Sequence, residues 1–134
     1  MRKRFLFLLI PVILVVFCGV IYLQINKTNM EFAKEAEVRF IYGDTNMTCR
    51  LDHSELEAIK AIFDGKKMYK DNPSCGFTED VSVTFNEAQT FCIACDTCPI
   101  VYWKEKDRYI RLTEEEKTQL YHLLQTYGFF FPCE

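Results

Sequence analysis

Three cysteines stand at intervals of three in the stretch FCIACDTCP: Cys92, Cys95 and Cys98. Residues of that type at that spacing can do three kinds of chemistry. Thiolates in C-x-x-C steps ligate zinc or an iron–sulfur cluster. A pair such as Cys95 and Cys98 can exchange thiols with disulfides. In an oxidising compartment the same cysteines become covalent staples of a small fold. Which of these applies depends on the side of a membrane on which the stretch lies.

The cluster readings meet specific obstacles in the sequence. A ferredoxin-type run continues to a fourth cysteine followed by proline, whereas here Pro99 follows the third cysteine and the next is Cys133. Zinc needs four ligands and reducing surroundings, with a distant cysteine completing the set. A reactive C-x-x-C pair needs a thiol pKa lowered by a helix amino terminus or a positive neighbour. PIVYW, which follows Cys98, reads as a strand, and Asp96 and Glu105 are acidic.

The compartment is set by the other end of the chain. MRKR is followed by a charge-free run from Phe5 to Ile25, FLFLLIPVILVVFCGVIYLQI. A helix of that length crosses the roughly 30 Å of a bilayer's hydrocarbon core, and Pro11 is tolerated in such a helix. A cleaved signal peptide would show a shorter apolar region and a small-x-small site, and no A-x-A pattern occurs near residues 21–27. Lipidation would fall on Cys18, but VVFC is a degraded lipobox. The run therefore reads as an uncleaved, single-pass signal anchor in contact with the bilayer through residues 5–25. Arg2, Lys3 and Arg4 hold the amino terminus in the cytoplasm by the positive-inside rule, which puts the remainder outside.

From Lys27 onward the chain carries all 19 of its acidic residues but 13 of its 16 basic ones, a net charge of −6. No basic run exceeds Lys66-Lys67. Nucleic acid and anionic lipid headgroups both call for basic patches that release counterions, so the sequence argues against both.

Once Cys18 is assigned to the anchor, Cys49, Cys75, Cys92, Cys95, Cys98 and Cys133 remain. An even set in a small extracytoplasmic domain is a disulfide framework, although sequence alone does not choose the pairing. A Cys95–Cys98 bridge would need Asp96-Thr97 as a tight turn, which a β-branched residue resists. Each bridge formed would stabilise the domain by about 2–4 kcal/mol.

The elements that must position these residues follow from periodicity. EVRFIYG alternates as a strand ending at Gly43-Asp44, and TCRL is a second short strand. DHSELEAIKAIFDG reads as a helix with a capping box at Ser54 and Glu57, an apolar stripe at Leu56, Ile59, Ile62 and Phe63, and a stop at Gly65. KKMYKDNPSCGF is a loop. VSVTF, TFCIAC, PIVYW and RYIRL are strands, with NEAQ and KEKD as turns. Thr113 and Glu116 open a last helix with Leu120, Leu123, Leu124 and Tyr127 on one face, and Gly128 ends it. The fold class is thus α+β: one transmembrane helix, then a small antiparallel sheet with two helices on one face, stapled by disulfides. The divisions are residues 1–25 as basic flank and anchor, 26–35 as stalk, and 36–134 as a Cys-rich extracytoplasmic domain.

Other candidates add little. His122 lies opposite its helix's apolar stripe, and His53 sits beside Asp52 and Ser54 in a cap region. Those three adjacent residues lack the mutual geometry of a catalytic triad. Glu114-Glu115-Glu116 suits a helix amino terminus. Asn26 and Asn46 head N-x-[S/T] sequons, which matter only in a glycosylating host. Trp103, Tyr102, Tyr109 and Phe129 to Phe131 read chiefly as core, with a docking surface as the second reading. No cofactor and no metal is expected. The sequence points to a non-catalytic, membrane-anchored domain that binds a protein or small ligand outside the membrane. A membrane-tethered thiol–disulfide protein using Cys95 and Cys98 is the alternative.

Overall fold

A computed structural model describes residues 2–70, 73–94, 96 and 98–130, with the backbone alone at 2–9 and at 24. Helix α1 (Arg2–Ile25) precedes strands β1 (Ala36–Tyr42) and β2 (Thr45–Arg50) and helix α2 (His53–Phe63). Strands β3 (Val81–Phe85), β4 (Gln89–Ile93), β5 (Ile100–Trp103) and β6 (Arg108–Arg111) follow, and helix α3 (Glu114–Thr126) comes after them. The six strands form one sheet in the order β2-β1-β3-β4-β5-β6, and every pairing is antiparallel. The protein is therefore α+β, as the periodicities predict.

Alternation along the strands sorts side chains between two faces. Val38 and Phe40 of β1, Val83 and Phe85 of β3, Phe91 of β4, Trp103 of β5 and Ile110 of β6 are buried on the inner face. Its rings are in close contact: Phe91 lies 4.7 Å from Trp103 and 5.0 Å from Phe63 of α2, centroid to centroid. Helix α2 adds Leu56, Ile59, Ile62 and Phe63 to this core, and α3 adds Leu120 and Leu124. Burying each such side chain is worth about 1.5–3 kcal/mol, so this layer is the main source of cohesion.

The helix ends are built from side chains. Thr113 and Glu116 form the predicted capping box of α3. At its other end Gly128 (φ +82°) donates to the Gln125 carbonyl, and Phe129 donates back to Leu124. That pair of bonds is a Schellman stop, and it turns Phe129 onto Phe40 at 5.0 Å. The capping box of α2 lies two residues earlier than the sequence suggests: Asp52 is the cap and Glu55 its partner. Asp is as good a cap as Ser, and it wins because Leu51 is already buried with the core. Of the α3 stripe, Leu123 and Tyr127 are only partly buried. Tyr127 instead hydrogen-bonds the Glu55 carboxylate of α2, and KEKD forms a 3₁₀ turn closed by Asp107 at φ +50°.

Residues 26–35, expected to form a stalk, are packed into the domain. Thr28, Met30 and Ala33 are buried. The Thr28 hydroxyl donates to the Phe63 carbonyl and accepts from the Lys66 amide at 2.8 Å. Met30 donates its amide to Asp64 at 2.8 Å. The Asn86 side chain, in the turn between β3 and β4, accepts from the Lys34 and Glu35 amides and donates to the Phe32 carbonyl. Small and apolar residues at 28, 30 and 33 of this polar stretch are the ones it buries.

Among the described residues no helix is long and apolar enough to cross a membrane. In α1 the described side chains are those of residues 10–23 and 25, the first run about 20 Å of helix. Those of its large hydrophobic residues are exposed.

Candidate functional site

The loop after α2 decides where the cysteines meet. Leaving Gly65, it runs along the edge of β6, where Tyr69 and Tyr109 exchange two backbone hydrogen bonds of 3.0 Å. It then crosses onto the outer face of the sheet, laying Phe77 against Tyr109 and Tyr102 at 5.5 and 6.1 Å. There Cys75 meets Cys98 at disulfide distance, with Cα atoms 6.8 Å apart and a sequence separation of 23. Asp96 braces the junction: its carboxylate accepts from the Cys98 amide at 2.9 Å, and its carbonyl accepts from the Tyr121 hydroxyl of α3 at 2.7 Å.

The remaining cysteines have different surroundings. Cys92, on β4, points to the outer face and is buried with a free thiol. Burial, reinforced by Glu79, pushes that thiol up to about 11, so it stays protonated and unreactive at neutral pH. Cys49 of β2 is half-buried and free, opposite Val38, and Cys18 is exposed on α1. Cys95 and Cys133 lie outside the described residues, so the redox pair with Cys98 and their own bridges have no structural description. The sulfurs of Cys75 and Cys98 and a carboxylate oxygen of Asp96 converge within 4.8 Å. A metal there would require thiolates, whereas these two sulfurs are each other's partners.

Beyond the loop's cover the outer face is polar, with Glu37 and Arg39 exposed and Ser82 and Thr90 buried. The register aligns Thr48, Arg39, Ser82, Cys92, Tyr102 and Tyr109 in one row across all six strands. Phe77 covers the Tyr102–Tyr109 end. The other end forms a cleft of about 210 Å³ lined by Glu37 and Arg39 of β1, Arg50 of β2, and Ser82 and Thr84 of β3 among others. Arg50 reaches Glu35 and Glu87 at 3.5 and 3.8 Å. Ser82 donates to the Glu79 carbonyl at 2.9 Å, and Thr84 pairs with Thr90. The Lys104 ammonium bonds the Glu79 carboxylate and lowers its pKa. Among the described residues the Arg39 guanidinium makes no hydrogen bond, but its charge acts on Glu79 in a cleft that Glu35, Glu37 and Glu87 also line.

Both histidines are exposed. Of the sequons, Asn46 is exposed on β2, and Asn26 caps α1 by donating its side chain to the Tyr22 carbonyl at 3.0 Å. Sequence reasoning missed Arg39, Asn86 and Thr28. Alternation placed Arg39 on the polar side of β1, but only the strand order shows that Ser82 and Cys92 continue its row. Asn86 carried a usable signal, since Asn tolerates positive φ in turns and adopts +49° here.

Together these features describe a small α+β domain with one stapled loop and a charged cleft on the open half of its sheet. Compared with known proteins, the chain matches no family model, no curated protein and no solved structure.

Proposed function

We propose that the chain is a membrane-anchored, extracytoplasmic binding domain that holds its partner on the open half of the outer sheet face. The observation that carries this reading is the cleft around Arg39. It is a concave, charged surface on a rigid antiparallel sheet, and the stapled loop that covers the neighbouring half stops short of it. Sites on strands hold their side chains more exactly than sites on loops. Arginine is the residue whose fork of donors suits planar carboxylate or amide groups on a polypeptide partner. The anchoring half of the proposal draws on the charge-free run from Phe5 to Ile25, the basic residues before it, and the continuation of α1 over 24 residues.

Two experiments test the two halves separately. Alkaline extraction of membranes from cells making the full chain should leave it in the pellet; release into the supernatant would sink the anchor. A photo-crosslinking residue at Thr48 or Thr84 should give one discrete adduct in those membranes. Placed at His122, on the exposed side of α3, it should give none. Arg39→Glu should abolish the adduct, and persistence of the same adduct in that variant would refute the cleft as the docking surface.

A further inference from the structure

A second cleft, of about 380 Å³, lies where α1 enters the domain. Its walls come from Ile25 at the end of α1, Lys27 and Phe32 of the packed segment, Met68 of the loop, and Trp103 and Lys106 at the end of β5. No carboxylate lines it, in a chain whose residues from Lys27 onward are acidic on balance. Its composition is amphiphilic, with ammonium groups over an apolar floor. The Lys106 Nζ stands 5.7 Å from the Trp103 ring centroid, and Phe32 stacks on the same indole at 6.4 Å.

A third lysine adds to this charge. Lys27 and Lys67 are directly opposite each other in an antiparallel bridge. The flanking bonds, Met68 amide to Asn26 carbonyl at 2.7 Å and Thr28 amide to Lys66 carbonyl at 2.8 Å, make theirs a non-hydrogen-bonded pair, the kind that brings side chains closest. Like charges in that position repel. Among the described residues none of Lys27, Lys67 and Lys106 has a carboxylate partner. Glu31 and Asp64 line a neighbouring hollow with Lys27, but Asp64 is engaged by the Met30 amide and Glu31 faces Asn29. Three uncompensated ammonium groups, brought together from separate segments beside an aromatic floor, call for an anion with an apolar continuation.

We propose that this cleft takes the phosphate of an anionic phospholipid headgroup, with its acyl chains running alongside α1. The inference rests on the membrane-anchored reading above and deepens it. With residues 26–35 packed rather than free, the cleft is fixed directly beside the end of α1, at the height where headgroups lie. The sequence argues against anionic lipid because no basic run is long enough; the fold assembles the patch from three places instead.

Trp103 is the single tryptophan of the chain, which makes it a reporter inside the cleft. The full chain would be reconstituted into phosphatidylcholine vesicles containing a trace of headgroup-spin-labelled phosphatidylglycerol or phosphatidylcholine. The anionic label should quench Trp103 emission more strongly, by about fivefold for each lysine that contributes. Lys106→Gln should remove about that factor, and Lys106→Glu, which reverses the charge, should remove more. Equal quenching by the two labels, or a preference unchanged in Lys106→Glu, would overturn the proposal while leaving the anchor intact. Loss of the preference on adding millimolar inorganic phosphate would reassign the cleft to a free anion and overturn the lipid. Failure of the chain to float with either vesicle would instead sink the membrane reading itself.

Discussion

At the scale of single residues, the three cysteines of FCIACDTCP illustrate how one spacing divides into different environments. Cys98 is held against Cys75, and Cys92 is a thiol only 2% exposed. Its burial has a pH signature. Desolvation first, and the Glu79 carboxylate second, raise its pKa from 9.0 to about 11. The folded state therefore holds the proton more tightly than the unfolded chain does. The stabilisation is fully present below pH 9 and is lost as pH rises through 11, by an amount on the order of 2 kcal/mol. Urea unfolding of wild type and Cys92→Ala, repeated from pH 8 to 11, should show the gap between them narrowing over that window. A gap that stays constant would mean that the thiol titrates alike in both states. None of this was legible in the sequence, which does not choose a pairing among the six cysteines. The partner of Cys98 sits in a loop whose path depends on Tyr69 and Phe77 finding β6.

Among elements, the strands and helices α2 and α3 were legible because their apolar period is dictated by backbone geometry, and each reached the sheet or core. Boundaries set by competing caps were not. Asp52 and Ser54 both suit an N-cap, and the choice between them is made by the burial of Leu51 rather than by propensity. The long loop after α2 was legible only as a loop, since its glycine, proline and asparagine content says where regular structure stops and nothing about where the chain goes. Its position depends on the Cys75–Cys98 pair, the Tyr69–Tyr109 bonds and the Phe77 contacts. Closing a loop of 23 residues stabilises the folded state by about 3 kcal/mol through the entropy it removes from the unfolded chain. Cys75→Ala with Cys98→Ala should lower the unfolding free energy by about that much, and peptide mapping without reductant should recover the crosslinked pair from wild type. A loss below about 0.5 kcal/mol, within the usual range of surface substitutions, would mean that the contacts of Tyr69 and Phe77 hold the loop unaided.

For the whole molecule, the consequential feature is that α1 leads into the fold without a linker. The polarity of NKTNMEFAKE suggested a stalk, because a sequence window counts charges and does not see that Thr28, Met30 and Ala33 recur on one side. In the structure Thr28 is tied to Phe63 and Met30 to Asp64, and Asn86 holds Phe32, Lys34 and Glu35 beside them. Residues 26–35 are thus in contact with the sheet domain that follows them. A chain beginning at residue 26 should unfold cooperatively on heating, whereas one beginning at residue 36 should lose the sharp transition and the dispersed amide spectrum of a packed core. Within the intact chain, Met30→Ala should cost about 2–5 kcal/mol, as expected of a fully buried side chain, while Glu31→Ala beside it, exposed, should cost little. The distinction bears on function. A domain on a free stalk samples all orientations and gains nothing from a lysine cluster beside α1. A domain welded to its helix presents one side to whatever surrounds α1 and the Arg39 cleft to whatever lies elsewhere. If the chain beginning at residue 36 folded as well as the longer one, the fixed geometry on which the proposed headgroup site depends would be lost.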